Sequence, residues 1–405
     1  MRCLRPMTKN PPAHSVPGGR PAGEHAFASL NLLRGLSAFA VLFSHTASTV
    51  SGDHPLLSFN WGGLAVDVFM LISGFLMMWH FYERRRLGEA WGTSTTCLKF
   101  YTRRFFRIAP LYYCLLVLVY VFHDSLLSAI HQNRLALHQA DFHGPHDPTQ
   151  DGLSLAHILA HFTFAFGFIP AFAQSNPLPD WSIGLEMQFY LFFPWLALFL
   201  ERSRFVVGVV AILALNWLAL HLFAVGILAE PKALGVFPYP TFLPLKINCF
   251  LVGMLMAAGL FTTSGPVKRV LLLLLALVVA GLYMKKFLVI CTLFAFYEFA
   301  LAGGTGMPAV ERLVKKLTWL PESRCCKFAA DASYGVYLIH IPLLIVLLRC
   351  LCLWFPFDQW SEARRFLTSL ALAIPLAYAL AWLAFKYIET PGIAWGRNLV
   401  KRIGK

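Results

Sequence analysis

The chain has 405 residues, of which 58% are hydrophobic and only 13% are charged. Soluble domains carry about a quarter charged residues, so this composition excludes two or three globular soluble domains and predicts a polytopic membrane protein. The formal net charge of +14 raises nucleic-acid binding as an alternative. The basic residues lie between apolar runs, however, as they do in cytoplasmic loops, and we expect no nucleic-acid partner.

We expect neither the chain ends nor the cysteines to take part in chemistry. Residues 1–29 are basic and rich in proline and glycine, without a signal-peptide core, which predicts a disordered cytoplasmic tail. Residues 392–405 predict a second basic cytoplasmic tail. The nine cysteines lack zinc or thioredoxin spacing. We therefore expect no metal site and no permanently bound cofactor.

Apolar runs of spanning length follow one another along the chain, because about 20 helical residues cross a bilayer core of roughly 30 Å. The positive-inside rule puts most basic loops, and both termini, in the cytoplasm. The pattern predicts an all-α polytopic membrane protein with about ten transmembrane helices. The predicted spans are Leu30–Val50, Trp61–Phe81, Ile108–Leu127, Trp181–Leu200, Phe205–Phe223, Leu243–Leu260, Val267–Tyr283, Phe287–Ala302, Phe328–Leu348 and Leu367–Ile388.

Two segments between the third and fourth spans are treated separately. Residues 128–152 form a polar stretch with four histidines, His131, His138, His143 and His146. A metal site is one interpretation, but the irregular spacing favours a solvated outer loop. Leu153–Phe172 looks helical and apolar. If it spanned, the next basic turn would lie outside, so we predict a re-entrant or interfacial helix.

The first span carries two ionisable side chains, Arg34 and His45. Eleven residues at 100° per residue return both to the same helix face, about 16 Å apart. Ionisable groups within a span usually face a bundle interior or a wet cavity and carry function. The alternative is that Arg34 reaches the headgroups and His45 is a satisfied interior histidine.

Counting residues from the helix ends places His45, Asp67 and Glu186 about 7–9 Å beneath the outer surface, with His340 slightly deeper. Ionisable groups at one level on different helices predict a shared polar cavity. A second, inner layer is arginine-rich. It comprises Arg34, Arg103, Arg104 and Arg107, with Asp331 and Glu389 as available partners. Because guanidinium groups pair well with phosphate, the two layers predict an elongated phosphorylated ligand.

Six motifs in order between residues 30 and 391 resemble the membrane-bound acyltransferase-3 family of bacterial O-acyltransferases, which modify cell-surface and exported saccharides. The motifs are Leu33–Gly35 with His45, Gly63–Phe69 with Ser73–Phe75, Arg104–Pro110, Trp181–Tyr190 with Pro194, Ala332–Pro342, and Tyr387–Pro391. The likeness covers nearly the whole chain and defines residues 30–391 as the membrane acyltransferase domain of a single-domain member.

The resemblance implies a cytoplasmic acyl-CoA donor, usually acetyl-CoA, as co-substrate. The family's essential histidine falls on His45, and its arginine pair falls on Arg104 and Arg107, with Arg34 lining the route inward. The expected location is the bacterial inner membrane. The expected partners are the lipid bilayer, acyl-CoA, a saccharide acceptor and surface-glycan biosynthesis proteins.

We expect His45 to act as general base on a sugar hydroxyl, with Glu186 or Asp67 orienting the imidazole. An acyl-histidine intermediate remains an alternative, and Asp67 and Glu389 could instead be buried partners for arginines. The cavity wall is expected to include Ser73, Trp181, Ser182, Tyr190, Ser333, Tyr334 and His340. Two other protein classes fit the same cavity: a transporter or flippase for a saccharide or acidic ligand, and a scaffold subunit of a polysaccharide complex.

Overall fold

The computed structural model describes residues 27–50, 61–138, 153–173, 175–201, 205–226, 229–261, 265–301 and 304–403. Most of these residues are helical. The α-helices are α1 Ala28–Val50, α2 Trp61–Arg86, α3 Ser94–Val121, α4 His123–Ala136, α5 Leu155–Phe162, α6 Trp181–Glu201, α7 Phe205–Leu222, α8 Ile247–Phe261, α9 Pro266–Tyr283, α10 Lys285–Leu301, α11 Pro308–Lys316, α12 Arg324–Trp354, α13 Glu362–Ala384 and α14 Thr390–Arg402. Two parallel two-residue strands, β1 Ala224–Val225 and β2 Val236–Phe237, make a small sheet.

The prediction of an all-α polytopic membrane protein is confirmed. Within the described residues, six helical stretches are long and apolar enough to cross a membrane, and α8 is a shorter apolar helix. Each of the ten predicted spans coincides with one or two observed helices. α1, which carries Arg34 and His45, packs against α2, α12 and α13, so both side chains lie on a helix surrounded by other helices.

Two boundaries in the first half differ from the predictions. α3 begins at Ser94 rather than Ile108, because the Thr93 side chain accepts a hydrogen bond from the amide of Thr96 and caps the helix. Its first turns are the basic stretch expected at the inner membrane face. The polar stretch from residue 128 is not all loop. It begins inside α4, which packs on α12 through a 3.0 Å hydrogen bond from Asn133 Nδ2 to Ile345 O. Of its histidines, His143 and His146 lie outside the described residues.

The segment predicted to be re-entrant or interfacial does not span. α5 has eight residues, a length of about 12 Å, and it is followed by short 3₁₀ turns at Ala165–Phe168 and Pro170–Phe172. This is less than half of a bilayer core of roughly 30 Å. Ser154 caps the helix by accepting a hydrogen bond from the amide of His157. The segment instead brings His157 beside Tyr120 of α3, with Nδ1 3.4 Å from the tyrosine hydroxyl, and His161 beside Asp180 at the start of α6.

The stretch predicted as a basic C-terminal tail, residues 392–405, is helical for most of its length. α13 continues through a π-helical turn, Phe385–Glu389, directly into α14, which extends to Arg402. α14 packs on α3, where a Cβ added at Gly392 or Gly396 would lie 2.6 Å from Pro110 or Phe106, respectively. Small residues at both contacts allow the close approach, and this packing holds Glu389 beside α3.

α2 and α8 form the closest helix pair of the core. A Cβ at Gly74 would overlap the carbonyl oxygen of Phe250, and one at Gly253 would overlap that of Leu71. The two backbones are therefore in direct contact, as at small-residue interfaces in membranes. The contact fixes the face of α2 that carries Ser73, the residue before Gly74.

Candidate active site

The inner polar layer is a cluster of arginines and glutamates contributed by α1, α3, α6 and the π-helical turn. Arg107 Nη1 lies 3.1 Å from Glu389 Oε2, and the Glu389 side chain is fully buried. Arg34 lies within electrostatic range of Arg107, Glu389 and Asp331. The sequence analysis offered Asp331 and Glu389 as partners for the inner arginines, and in the structure both acids lie near Arg34. Buried charges of both signs compensate each other here.

Glu186 belongs to this inner cluster. Its Oε1 accepts a 2.8 Å hydrogen bond from Ser73 Oγ and a second from the Tyr190 hydroxyl. The guanidinium of Arg104 lies over the Tyr190 ring, 5.8 Å from its centroid. Among the described residues Arg104 Nε has no hydrogen-bond partner. Arg104 therefore keeps a donor available beside a carboxylate that is already held by two hydroxyl groups.

Arg103 lies further out. It is 3.7 Å from Glu89, which also pairs with Arg84 at 2.7 Å. These three residues lie at the inner end of α2 and the start of α3, outside the cluster around Glu186.

The outer polar layer is a pair of histidines from α1 and α12. The rings of His45 and His340 have centroids 5.0 Å apart and planes inclined by 46°. His340 is fully buried, whereas His45 is partly exposed. His340 Nδ1 lies 2.5 Å from the carbonyl oxygen of Tyr337. A carbonyl only accepts, so Nδ1 carries the hydrogen and Nε2 carries the lone pair.

Neither imidazole forms a hydrogen bond to another side chain in the described part of the chain, although the Tyr337 ring lies 5.8 Å from that of His340. His340 Nε2 is buried without a hydrogen-bond partner there, and His45 has no side-chain hydrogen bond to a described residue. The first turn of α2 adjoins the pair, since the position of a Cβ on Gly62 lies 3.9 Å from His45 Nε2. The pair thus offers unsatisfied imidazole nitrogens beside a helix N-terminus, whose partial positive charge favours anions.

The loop before α6 fixes the position of His340. The Tyr337 hydroxyl donates to the carbonyl oxygen of Pro179 at 2.8 Å, and Ser182 Oγ donates to the Tyr337 hydroxyl at 2.8 Å. Trp181 stacks on Tyr239, with centroids 5.4 Å apart. Ser182 therefore braces the outer layer through Tyr337, whereas Trp181 packs on Tyr239.

The two carboxylates proposed to orient His45 are elsewhere. Among described residues, no hydrogen bond or ion pair joins His45 to Glu186 or Asp67. Asp67 Oδ1 lies 2.5 Å from Lys246 Nζ, and Asp67 Oδ2 accepts a 3.1 Å hydrogen bond from the Tyr283 hydroxyl. Counting residues from the helix ends placed Glu186 at the same depth as His45. In the structure Glu186 instead lies among the inner arginines. Asp67 is thus the buried partner of a cation, as in the alternative given above, but the cation is Lys246 and not an arginine.

The remaining predicted wall residues have contacts of their own. Tyr334 donates to the carbonyl oxygen of Ile108 at 2.8 Å and lies within electrostatic range of Glu186 and Glu389. Ser333 is 1% exposed and donates to the carbonyl oxygen of Ala330 in its own helix. Tyr334 thus faces the inner cluster, whereas the Ser333 hydroxyl bonds within its own helix.

One polar network was not predicted as a unit. Asp180 accepts hydrogen bonds from Tyr112 at 3.1 Å and Asn176 at 3.0 Å, and its Oδ2 lies 3.5 Å from His161 Nε2. Asp180 precedes the fourth span, and burial raises the pKa of its carboxyl to about 7. Two histidines four residues apart, His157 and His161, were the sequence signal for this network.

Metal ligation finds no support in the described residues, where no group of three histidine, cysteine or acidic side chains is arranged to hold an ion. Along α1 the inner arginine and the outer histidine are eleven residues apart, a separation of about 16 Å. A long ligand with an anionic end could contact both.

The chain is similar in sequence to known acyltransferases. A family model described as an acyltransferase domain matches residues 27–382. The chain is 22% identical over 394 residues to the peptidoglycan O-acetyltransferase OatA of Listeria monocytogenes, covering 90% of this chain and 55% of that protein. It is 28% identical over 188 residues to the putative peptidoglycan O-acetyltransferase YrhL of Bacillus subtilis, covering 42% of this chain and 25% of that protein.

The chain thus spans about half the length of the first of these relatives and a smaller part of the second. No solved structure matches the chain significantly.

Proposed function

Because the chain belongs to the acyltransferase-3 family, we propose that it is an integral-membrane O-acyltransferase. It moves an acyl group, acetyl in the simplest case, from cytoplasmic acyl-CoA to a hydroxyl group of a cell-surface or exported saccharide. The observation that carries the proposal is the pairing of His45 with His340, about 16 Å along the same helix from Arg34 of the inner cluster.

His45 acts as the general base. Its imidazole takes the proton of the sugar hydroxyl as the oxygen attacks the thioester carbonyl carbon. The tetrahedral intermediate collapses by breaking the carbon–sulfur bond. The CoA thiolate then leaves with the proton from the imidazolium, so the products are the sugar ester and free CoA. The N-terminal turn of α2 beside His45 supplies a positive dipole end where the oxyanion forms.

His340 is a positioning residue in this mechanism. The hydrogen on its Nδ1 is committed to the carbonyl oxygen of Tyr337, so the lone pair on Nε2 can accept a hydrogen bond from protonated His45. A neutral imidazole therefore takes the orienting role that sequence reasoning gave to Glu186 or Asp67. Burial of His340 prevents water from competing for that lone pair.

The inner cluster binds the donor. Arg104 has an unpartnered Nε beside the Tyr190 ring, and Arg34 lies between the anionic groups of α12 and the π-helical turn. Guanidinium groups hold phosphate oxygens by paired hydrogen bonds and stay charged at any physiological pH. Arg107, already paired with Glu389, shapes this cluster and adds to its positive charge. The donor enters from the bacterial cytoplasm, the side on which both termini lie in this proposal.

The test uses membranes containing the wild type or His45→Ala, incubated with radiolabelled acetyl-CoA and a crude extract of host surface glycans. We expect label in a glycan fraction with the wild type only. A matched variant, His221→Ala, removes a histidine from the exposed end of α7 and should transfer as the wild type does. Substantial transfer by His45→Ala would refute the general-base role. No transfer from acetyl-, succinyl- or longer acyl-CoA by the wild type would favour a transporter instead.

A further inference from the structure

A pocket of about 250 Å³ opens at the inner end of the bundle, between the first turns of α12 and the last turn of α13. It lies outside the arginine and glutamate cluster described above. Two kinds of side chain line it: charged groups from α12 and aromatic rings from both helices. The lining residues are Arg324, Lys327, Phe328, Asp331, Ala332, Trp382 and Phe385.

The two cations of this pocket are uncommitted. Within the described residues neither Arg324 nor Lys327 forms an ion pair or a hydrogen bond through its side chain, and both are exposed. Nearby basic residues differ, since Arg107 pairs with Glu389 and Arg84 pairs with Glu89. Two free cations in one concave site favour an anion of more than one charge.

The aromatic rings of the pocket present open faces. Trp382 and Phe328 are each 43% exposed. Phe328 uses one face to stack on Tyr378, with centroids 6.1 Å apart and planes inclined by 29°. Lys386 lies 5.1 Å from the centroid of the Trp382 ring and so adds positive charge to that side of the pocket. Exposed rings beside cations are the elements with which proteins stack and pair a nucleotide.

Charged side chains connect the pocket to the inner cluster. Asp331, on its wall, lies within electrostatic range of Arg34, and Arg34 lies within range of Arg107 and Glu186. Lys327, Asp331 and Tyr334 recur at helical spacing on one face of α12, and Tyr334 reaches the cluster. Lys327 is thirteen residues from His340, a rise of about 20 Å along α12. A ligand anchored in the pocket must therefore be long to reach the histidine pair.

We propose that this pocket binds the adenosine 3′-phosphate end of the acyl-CoA donor. The adenine stacks on Trp382 or Phe328, and the 3′-phosphate pairs with Lys327 and Arg324. The rest of the donor extends past Arg34 and Arg104 toward His45. The pocket volume suits binding of the nucleotide end alone, because about 250 Å³ accommodates one nucleoside-sized group and not a whole coenzyme. This inference rests on the proposed function, which supplies acyl-CoA as the donor.

The experiment measures donor binding and transfer with full-length protein in phosphatidylcholine nanodiscs. The probes are acetyl-CoA and acetyl-3′-dephospho-CoA, which differ only in the 3′-phosphate. We expect the wild type to bind acetyl-CoA about tenfold more tightly than the dephospho form, as fits loss of a charge-assisted contact. Lys327→Ala should raise the KM for acetyl-CoA about tenfold, leave kcat unchanged and remove the discrimination between the two donors.

Two further variants separate stacking from charge. Trp382→Leu should weaken both donors equally, because the ring contacts the base and not the phosphate. Lys315→Ala is the matched control, since it removes an exposed basic residue of α11 that does not line the pocket. It should leave both KM values and the discrimination unchanged.

Each contrary result has a distinct meaning. Wild-type discrimination retained by Lys327→Ala and by Arg324→Ala, with normal transfer, would overturn this inference and leave the proposed function standing. An effect of these variants that appears only in nanodiscs containing anionic lipid would assign the pocket to a lipid headgroup and also overturn it. Failure of the wild type to bind or use any acyl-CoA would overturn the proposed function and this inference together.

Discussion

The inner cluster and the outer histidine pair differ in how their polar groups are satisfied. At the inner end, Glu389 pairs with Arg107, and Glu186 is held by the hydroxyl groups of Ser73 and Tyr190. In the outer pair, His340 Nε2 has no partner among the described residues. The inner cluster also has buried atoms without a hydrogen-bond partner among the described residues, Arg104 Nε and Glu389 Oε1. The two regions therefore differ in charge compensation. Opposite charges compensate each other in the inner cluster, whereas no described carboxylate or cation pairs with either ring of the histidine pair.

Substitutions in the two regions should therefore have different effects. Variants of the inner cluster should change stability and donor affinity, because they leave buried charges uncompensated or remove phosphate donors. Variants of the histidine pair should change the rate of the chemical step, because general-base catalysis acts in the transition state. Variants of a third region, the ion pair between Asp67 and Lys246, should change stability alone.

The largest effect on stability is expected from Asp67→Ala. Asp67 is 1% exposed, and its removal leaves the ammonium of Lys246 buried without its carboxylate. Breaking such a pair costs about 3–5 kcal/mol. The free energy of unfolding in mixed detergent micelles measures the loss. The double variant Asp67→Leu with Lys246→Met should recover most of it, and a double variant as unstable as the sum of its parts would contradict the pairing.

Arg107→Ala should follow, with a loss of about 3 kcal/mol, because it removes the cation that is hydrogen-bonded to fully buried Glu389 and leaves only Arg34 within electrostatic range, while part of Arg107 itself is solvent-accessible. The KM for acetyl-CoA should rise as well, since positive charge leaves the donor site. Unfolding measurements and initial rates on the same preparations check both effects. A change in kcat with neither of these would place Arg107 in the chemical step instead.

His340→Ala should lower kcat about tenfold, equivalent to about 1.4 kcal/mol, with no change in the KM for acetyl-CoA. The physical reason is that His340 orients His45 and does not touch the donor. Rates are compared per folded molecule with those of His161→Ala, which removes a fully buried histidine from the network around Asp180. Equal losses in the two variants would reduce the role of His340 to packing.

The smallest effect is a pH dependence from Asp180. Burial raises the pKa of this carboxyl to about 7 in the folded protein, above its ordinary value of 3.8. The folded state therefore binds the proton more tightly than the unfolded state, and this contribution to stability is lost as the pH rises through 7. Between pH 6 and 8 the loss is about 1 kcal/mol. Asp180→Asn, which can still accept from Tyr112 and Asn176, should flatten the pH profile of unfolding, and an unchanged profile would contradict the assignment.

Hydrophobic length predicted the helices well, because a membrane span needs a fixed number of apolar residues whatever it packs against. It did not predict polar extensions. The start of α3 at Ser94, the helix α4 and the continuation of α13 into α14 depend on caps and on packing with distant helices. Such contacts leave no local periodic signal, so polar helical ends were interpreted as loops and tails.

The site was only partly readable from the sequence. Motif order singled out Arg104, His45 and Glu186, and helix geometry correctly put Arg34 and His45 on one packed helix. Vertical offsets between helices cannot be counted from sequence, however, and this is why Glu186 was expected beside His45. The partner of Asp67 was also missed, because Lys246 is 179 residues away and lies in an unremarkable turn.

The most direct test of the division between donor binding and chemistry compares His45→Ala with Arg104→Ala in two measurements on purified protein: the equilibrium affinity for acetyl-CoA and the single-turnover rate at saturating donor and acceptor. The account predicts a crossover. His45→Ala should keep wild-type affinity and lose about 10²–10⁴ in rate, whereas Arg104→Ala should lose affinity and keep most of the rate. Loss of affinity alone in both variants, or loss of rate alone in both, would contradict the assignment of chemistry to the outer histidines and of donor binding to the inner arginines.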